Sequence, residues 1–329
     1  MKRVKKIYKQ RSPVLLVLIV FQFISFSSFG QKFTLAIFGD TQGEVTANPQ
    51  MFFSQLNWIR QEKDSLNIPM VLHVGDITNF NNYNQWEIAS QGFEILDKAD
   101  IPYALATGNH DTHAVGEHSG SAAPGNVNAN LRNTDKFNAY FPISRLTAQR
   151  GRFESGKSDN AYYTFRVDGL NWLVLSLEFC ARRGPVNWAE EVVTDHPSYN
   201  VIILTHYFLN SNGTVGRRNA GYGDLSPQEI SDLLVKKYAN IKMVISGHVD
   251  SSAYRIDTGI NGNKIYEILQ DYQGKAHDYG GGYLRLITID PGAGTLSAKM
   301  YSPYYDKTKG GASSFSFSNV SFIRGFPKE

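Results

Sequence analysis

The sequence predicts an α/β protein with two β-sheets packed face to face. Three patterns predict it. Strand-like apolar runs alternate with helical stretches over residues 33–111. Shorter strand-like runs separated by turns fill residues 253–301. The earlier runs also end, one after another, in small polar clusters, and in open α/β sheets ligands bind beyond the carboxyl ends of the strands.

Residues 33–38 form an uninterrupted apolar run closing in Gly39-Asp40, which reads as a buried strand. Residues 49–66 place Phe52, Leu56, Ile59 and Leu66 at helical spacing. Residues 70–74 form a second strand, again ending in Gly-Asp. Residues 86–96 read as a helix and residues 102–106 as a third strand, followed by Gly108-Asn109-His110-Asp111. Three strand–helix steps in a row predict a largely parallel sheet with helices outside. Residues 112–133 are polar and rich in Gly, Ala, Ser and Asn, the composition of a long functional loop.

Residues 161–167 and 172–177 read as a strand pair joined at Gly169, and residues 186–193 as a helix after Pro185. Residues 201–204 form a buried strand ending in Thr205-His206, followed by a second polar loop over residues 208–224. Ser226-Pro227-Gln228-Glu229 is a helix start, with Pro at the first helical position and an acid behind it. Residues 241–245 are a strand ending in Ser246-Gly247-His248. Residues 253–257, 264–269, 283–290 and 295–301 are short strands, expected to build the second sheet against the first. Residues 310–326, rich in Ser, Gly and Phe, receive no assignment.

The chain is 42% hydrophobic and 19% charged, an ordinary globular mixture. Lys2, Arg3, Lys5, Lys6, Lys9 and Arg11 make a basic head, residues 14–24 an apolar run, and Ser28 and Gly30 supply small residues. This is the pattern of a secretory signal peptide cut after Gly30, with export to a periplasm or the medium. The apolar run is short for a bilayer span, so no stable membrane anchor is expected after cleavage. The whole chain carries 33 basic and 30 acidic residues, but six of the basic ones precede Gln31, leaving 27 against 30. The basic excess therefore belongs to the leader and gives no strong nucleic-acid signal. Cys180 is the sole cysteine, which excludes an internal disulfide and a cysteine metal cluster, and its strand-like surroundings point to a buried inert thiol.

Five polar clusters follow apolar strands: Asp40-Thr41-Gln42, Gly75-Asp76-Ile77-Thr78-Asn79, Gly108-Asn109-His110-Asp111, Thr205-His206, and Gly247-His248-Val249-Asp250. Each alone also fits a turn or a helix cap. His73 reads as a core or supporting residue. Taken together, Asp, Asn, Gln and His with no sulfur suit Mn, Fe, Zn or Mg. A carboxylate shared by two such ions can organise phosphoryl displacement.

In this order the clusters resemble the calcineurin-like metallophosphoesterases, whose pattern runs Asp-x-Gln/His, Gly-Asp-x-x-Asn/Asp, Gly-Asn-His-Asp/Glu, His, Gly-His-x-His/Asp. The resemblance covers residues 33–305. Leu269-Gln-Asp-Tyr-Gln273, the run from Gly280 to Leu286 and Tyr301-Ser302-Pro303 are similar to an exported bacterial branch with Gly-Asp-Thr-Gln and Gly-His-x-Asp variants. The resemblance implies an α/β fold of four layers, two mixed β-sheets in a sandwich flanked by helices. It implies a domain over residues 31–305, with a tail, residues 306–329, packed on it. It implies two divalent ions: Asp76 bridging, Asp40, Gln42 and Asp250 with the first, Asn109, His206 and His248 with the second. His110 would approach the substrate, Asp111 would orient His110, and Asn79 would support the Asp76 loop.

Gln42 and Asp250 stand where the family usually has His, which makes the first position all-oxygen and leaves two imidazoles at the second. The expected activity is hydrolysis of a phosphomonoester or phosphodiester, a small phosphate ester, by metal-activated hydroxide. A metal-dependent binding protein without turnover is the rival reading, and a nuclease the weaker enzyme reading. The loops over residues 112–133 and 207–224 would shape the pocket, and their composition fits nucleotides, sugars or lipid headgroups equally.

Overall fold

The computed structural model describes residues 31–119 and 122–324. The expected signal peptide, residues 1–30, lies outside the described residues.

The chain begins with β1 (Phe33–Phe38), every residue of which is buried. Two helices follow, α1 (Gln42–Ala47) and α2 (Pro49–Glu62), the latter opened by Pro49 at its first turn. Next come β2 (Val71–His73), α3 (Tyr83–Asp97) and β3 (Tyr103–Leu105). Asn82 caps α3 by accepting from the Gln85 backbone N–H, so the helix starts one turn before the apolar residues that announced it. The first polar loop contains one short helix, α4 (Val127–Asn130), and leads through α5 (Asp135–Tyr140) to β4 (Gln149–Arg152). Neither α5 nor β4 stood out in the sequence.

β5 (Ala161–Val167) and β6 (Leu170–Leu177) form the expected antiparallel pair. Asp168 and Gly169 both take positive φ, at 51° and 71°, as a two-residue hairpin turn requires. α6 (Arg183–Asp195), β7 (Tyr199–Thr205) and α7 (Pro227–Ile230) follow. α7 carries a full Ser226/Glu229 capping box and runs on as a π-helical turn over Ser231–Val235. The remaining strands are β8 (Ile241–Ser246), β9 (Ser252–Thr258), β10 (Lys264–Gln270), β11 (Leu284–Asp290), β12 (Thr295–Ser302), β13 (Lys307–Lys309) and β14 (Phe315–Phe317).

These strands make two mixed seven-stranded sheets. One runs β13-β12-β11-β1-β2-β3, with β14 also on β12; the other runs β4-β5-β6-β7-β8-β10-β9. The later strands therefore do not build a second sheet of their own, as the sequence led us to expect. β9 and β10 extend the sheet begun by β4–β8, and β11 returns to pair antiparallel with β1. A parallel β1-β2-β3 set leaves one side of β1 unpaired, and β11 closes that edge.

The layers follow from side-chain alternation. On β6, Trp172 and Val174 point into the core between the sheets, while Leu173, Leu175 and Leu177 pack under α6 and the π-helical turn. On the other side α2 and α3 cover the β1-β2-β3 sheet with Phe52, Leu56 and Phe93. The order is helices, sheet, sheet, helices. Among the described residues no helix is long and apolar enough to cross a membrane.

Candidate metal centre

Both sheets release their parallel strands at the same edge. β1, β2 and β3 deliver Asp40, Asp76 and Asn109 from one sheet, and β7 and β8 deliver His206 and His248 from the other. The strand ends lie so close that side chains cannot be inserted between them. A Cβ on Gly108 would stand 2.0 Å from Asp76 Oδ1, and one on Gly247 would stand 2.0 Å from Asp40 Oδ1. Asp76 and His248 themselves have φ of 51° and 71°. Such backbone is sparse for residues other than glycine, and it aims both side chains inward.

Asp76, His206 and His248 form a compact group whose donor atoms lie within 4.8 Å of one another. His206 Nδ1 is 3.0 Å from the Val74 carbonyl. A carbonyl only accepts, so Nδ1 carries a proton and Nε2 is the ring atom turned to the centre. Nε2 faces Asp76 Oδ2 at 3.2 Å and Asp40 Oδ2 at 3.8 Å. Nε2 is buried with no hydrogen-bond partner, and so is Asn109 Oδ1. A ring nitrogen directed at two carboxylates needs positive charge between them. Without metal that charge is a proton, since burial, which lowers His206, is outweighed by the Asp76 carboxylate, which raises it, and a divalent ion can take the proton's place. A ring held by its far nitrogen on a carbonyl is also how metal-binding histidines are fixed. The donor set fits a divalent ion.

The electrostatics agree. Asp40, Asp76, Asp111 and Asp271 are all buried, and among the described residues no Lys or Arg pairs with any of them. Burial and the Asp271 charge raise Asp40 well above the carboxylate range. Burial also works to raise Asp76, but the His206 and His110 charges outweigh it and hold the group low. Burial, reinforced by His206, pushes His248 down to about 3, so its imidazole is neutral and able to ligate.

The other predicted residues divide. Gln42 lies at the start of α1, donates its amide to Gln273 Oε1, and keeps a buried Oε1 without a partner. Asp250 lies at the rim of the centre, near enough for its charge to act on Asp271. It is exposed, and its Oδ1 lies 3.7 Å from His277 Nε2. The chain turns out of the sheet after Gly247, so the second residue beyond His248 already faces the rim.

His110 is half-buried, with Nδ1 2.7 Å from the Asn79 carbonyl. Asp111 does not orient that ring. It is fully buried, and its carboxylate accepts the backbone N–H groups of Thr78 and Gly108, each at 3.0 Å. It clasps the loop after β2 to the loop after β3, and the Asn79 carbonyl takes the place beside His110 expected of Asp111. His73 supports the centre: Nδ1 accepts from the Gly75 N–H at 3.1 Å and Nε2–H donates to Thr41 at 2.9 Å. Both ring nitrogens are thereby used, and burial first, then His206, lowers His73 to about 3.

Two features escaped the sequence reading. Asp271, directly after β10, lies buried at the centre, and burial pushes it up to about 7. Its signal was present, since an apolar strand ends in Gln270-Asp271 like the five clusters already recognised. Phe179 was the other. Its ring contacts those of His206 and His248 at 5.7 and 5.1 Å and stacks on Tyr222 of the second polar loop. Nearby, Arg132 from the first polar loop donates to the Phe179 and Cys180 carbonyls and to Asp224, tying both loops to the end of β6. Cys180 is buried and its thiol pushed up to about 12 by burial.

Two β-sheets between helices, with a carboxylate–imidazole group at their shared strand ends that could hold a metal ion, define the class of architecture to which the metallophosphoesterases belong. Residues 33–251 match the calcineurin-like phosphoesterase family, and the chain belongs to it. It is 29% identical over 280 residues to the uncharacterized protein YvnB of Bacillus subtilis (strain 168), covering 83% of this chain and 20% of that one. Its fold is similar to that of purple acid phosphatase PPD1 from yellow lupin seeds. That likeness has a TM-score of 0.55 at 15% identity over 91% of this chain and 57% of the lupin chain. The chain thus spans less than two thirds of the length of either protein.

Proposed function

We propose that this chain is an exported phosphatase or phosphodiesterase that hydrolyses a small phosphate ester with two divalent ions. The observation that carries the reading is the convergence of Asp76, His206 and His248 donor atoms within 4.8 Å, with Asn109 Oδ1 buried and unpartnered. Asp76, Asn109, His206 and His248 would hold one ion. Asp40 and Gln42 would hold the other, with Asp76 between them. When bound, such ions lower the pKa of water and neutralise charge on the phosphoryl group.

The chain's own residues supply the rest. Because Nδ1 of His110 donates to the Asn79 carbonyl, Nε2 is the ring atom free to face a substrate. A proton held there can pass to the ester oxygen as its bond to phosphorus breaks, while water contributes the new oxygen on phosphorus. Exposed Arg217 and Arg218 line a cleft with Tyr207, next in sequence to His206, and can meet phosphate charge.

The test is turnover of alkyl and nitrophenyl mono- and diesters by the chain loaded with Mn, Fe, Zn or Mg. His110→Ala should lose on the order of 10²–10⁴-fold in kcat/KM on alkyl esters at unchanged metal content. The loss should be smaller on nitrophenyl esters, whose leaving group needs little proton help. A fully metallated chain that turns over no ester would leave a metal-dependent binding protein instead.

A further inference from the structure

We propose that Asp271 is the carboxylate that completes the oxygen-donor metal position beside Asp40, the place the sequence pattern gives to Asp250. The inference rests on the two-metal reading above.

The turn after β10 is pinned at both ends to the segment that carries Asp40. On one side Gln270 donates its amide to the Ile37 carbonyl at 3.1 Å. On the other, Gln273 accepts from the Gln42 amide. Asp271 lies between these anchors and is fully buried. Its Oδ1 accepts the Gln273 backbone N–H at 2.8 Å, while Oδ2 is buried with no hydrogen-bond partner. Gln42 Oε1 is in the same condition. Two bare buried oxygens on segments held together by a Gln–Gln contact, with Asp40 near enough to repel Asp271, offer donors that no hydrogen bond, Lys or Arg among the described residues satisfies.

Asp250 has a different place. Its side chain is 39% exposed and faces His277. A Cβ on Gly274 would stand 2.1 Å from Asp250 Oδ2, so this carboxylate packs against the turn that follows Gln273. Asp250 holds the rim, and Asp271 holds the floor.

The full chain is stripped with chelator, dialysed against Mn²⁺, and read by elemental analysis and by the electron paramagnetic resonance of coupled manganese. Wild type is expected to hold two ions, Asp250→Asn two and Asp271→Asn one, with affinity at the emptied position down at least tenfold. Asn at 271 preserves side-chain shape and the bond from the Gln273 N–H. Two ions in Asp271→Asn with one in Asp250→Asn would overturn the assignment and leave the phosphoesterase reading standing. A wild type that holds at most one ion overturns the two-metal reading and this assignment together. Should Asp271→Asn fail to fold, wild type loaded with Fe²⁺ and treated with ascorbate and peroxide gives the answer without substitution. Backbone cuts are expected near residues 40 and 271, and cuts near 40 and 250 with none near 271 would refute the assignment.

Discussion

At the scale of single residues, Asp111 separates a catalytic from an architectural carboxylate. It sits beside His110 in sequence, yet its oxygens bind the Thr78 and Gly108 amides. Removing it leaves two buried donors unpaired, each costing roughly 1–3 kcal/mol. Asp111→Ala should therefore lower both melting temperature and metal content, whereas His110→Ala should lower rate alone. Glu267 gives a residue-scale prediction far from the centre. It is fully buried on β10, with Oε2 3.2 Å from Arg255 Nε. Burial, helped by Asp257, outweighs that pairing and pushes the carboxyl from 4.5 up to about 7. The folded state then holds a proton that the unfolded state has released. This contribution to stability is complete below pH 4.5 and lost as pH rises through 7, at most about 3 kcal/mol. Urea unfolding of wild type and Glu267→Gln from pH 4.5 to 7.5 should show the slope in wild type and its loss in the variant. Equal slopes would mean that Glu267 ionises normally.

At the scale of elements, the strand-to-loop junctions carry the chemistry, and glycine makes them possible. The clusters Gly75-Asp76 and Gly108-Asn109 were legible because an apolar strand ended in Gly plus a polar residue. The reason glycine is needed was not, because it lies in the loop after another strand: the space for a Gly108 Cβ is filled by Asp76, 32 residues earlier. Gly108→Ala would place its Cβ 2.4 Å from the Asp76 backbone nitrogen as well as on Oδ1, so one of the two loops must move. We expect at least 2 orders of magnitude less activity and weaker metal binding, at about 1–3 kcal/mol of stability, typical of overpacking. Activity within twofold of wild type would show that the loops can part without harm. Helices α2, α3 and α6 were legible by spacing and the start of α7 by its Ser226/Glu229 box, but the start of α3 was not, because Asn82 sets it through a hydrogen bond rather than apolar periodicity.

At the scale of the whole molecule, the centre joins two sheets. Asp40, Asp76 and Asn109 come from one, His206 and His248 from the other, and Asp40 and Asp271 repel across the seam. An ion there should act as a staple between the sheets. At 100 to 1,000 times its dissociation constant, a ligand bound only by the native state adds roughly 3–4 kcal/mol. In a domain of this size that corresponds to roughly 5–10 °C. Calorimetry should show the melting temperature fall by this amount on chelation and recover with Mn²⁺. Asp76→Asn should melt at one temperature under both conditions. A chelation-insensitive wild type of proven metal content would contradict the staple.

The α/β class, most of the strands, and a constellation of Asp, Asn and His at strand ends could be read from the residues alone. These are local matters: apolar periodicity, turn residues and donor chemistry are written along the chain. It also carried the Asp-Gly hairpin and the capping box, since each is a contact between near neighbours. Packing set the order of strands in the sheets, because pairing depends on which edge lies open and not on position in the chain. It alone moved Asp111 from the side of His110 to the backbone clasp, and it placed Asp250 at the rim and Asp271 on the floor. Asp250 stands only two residues past His248 in the chain. Its direction is set by where the chain turns and by what already fills the space, and both are properties of the packed whole.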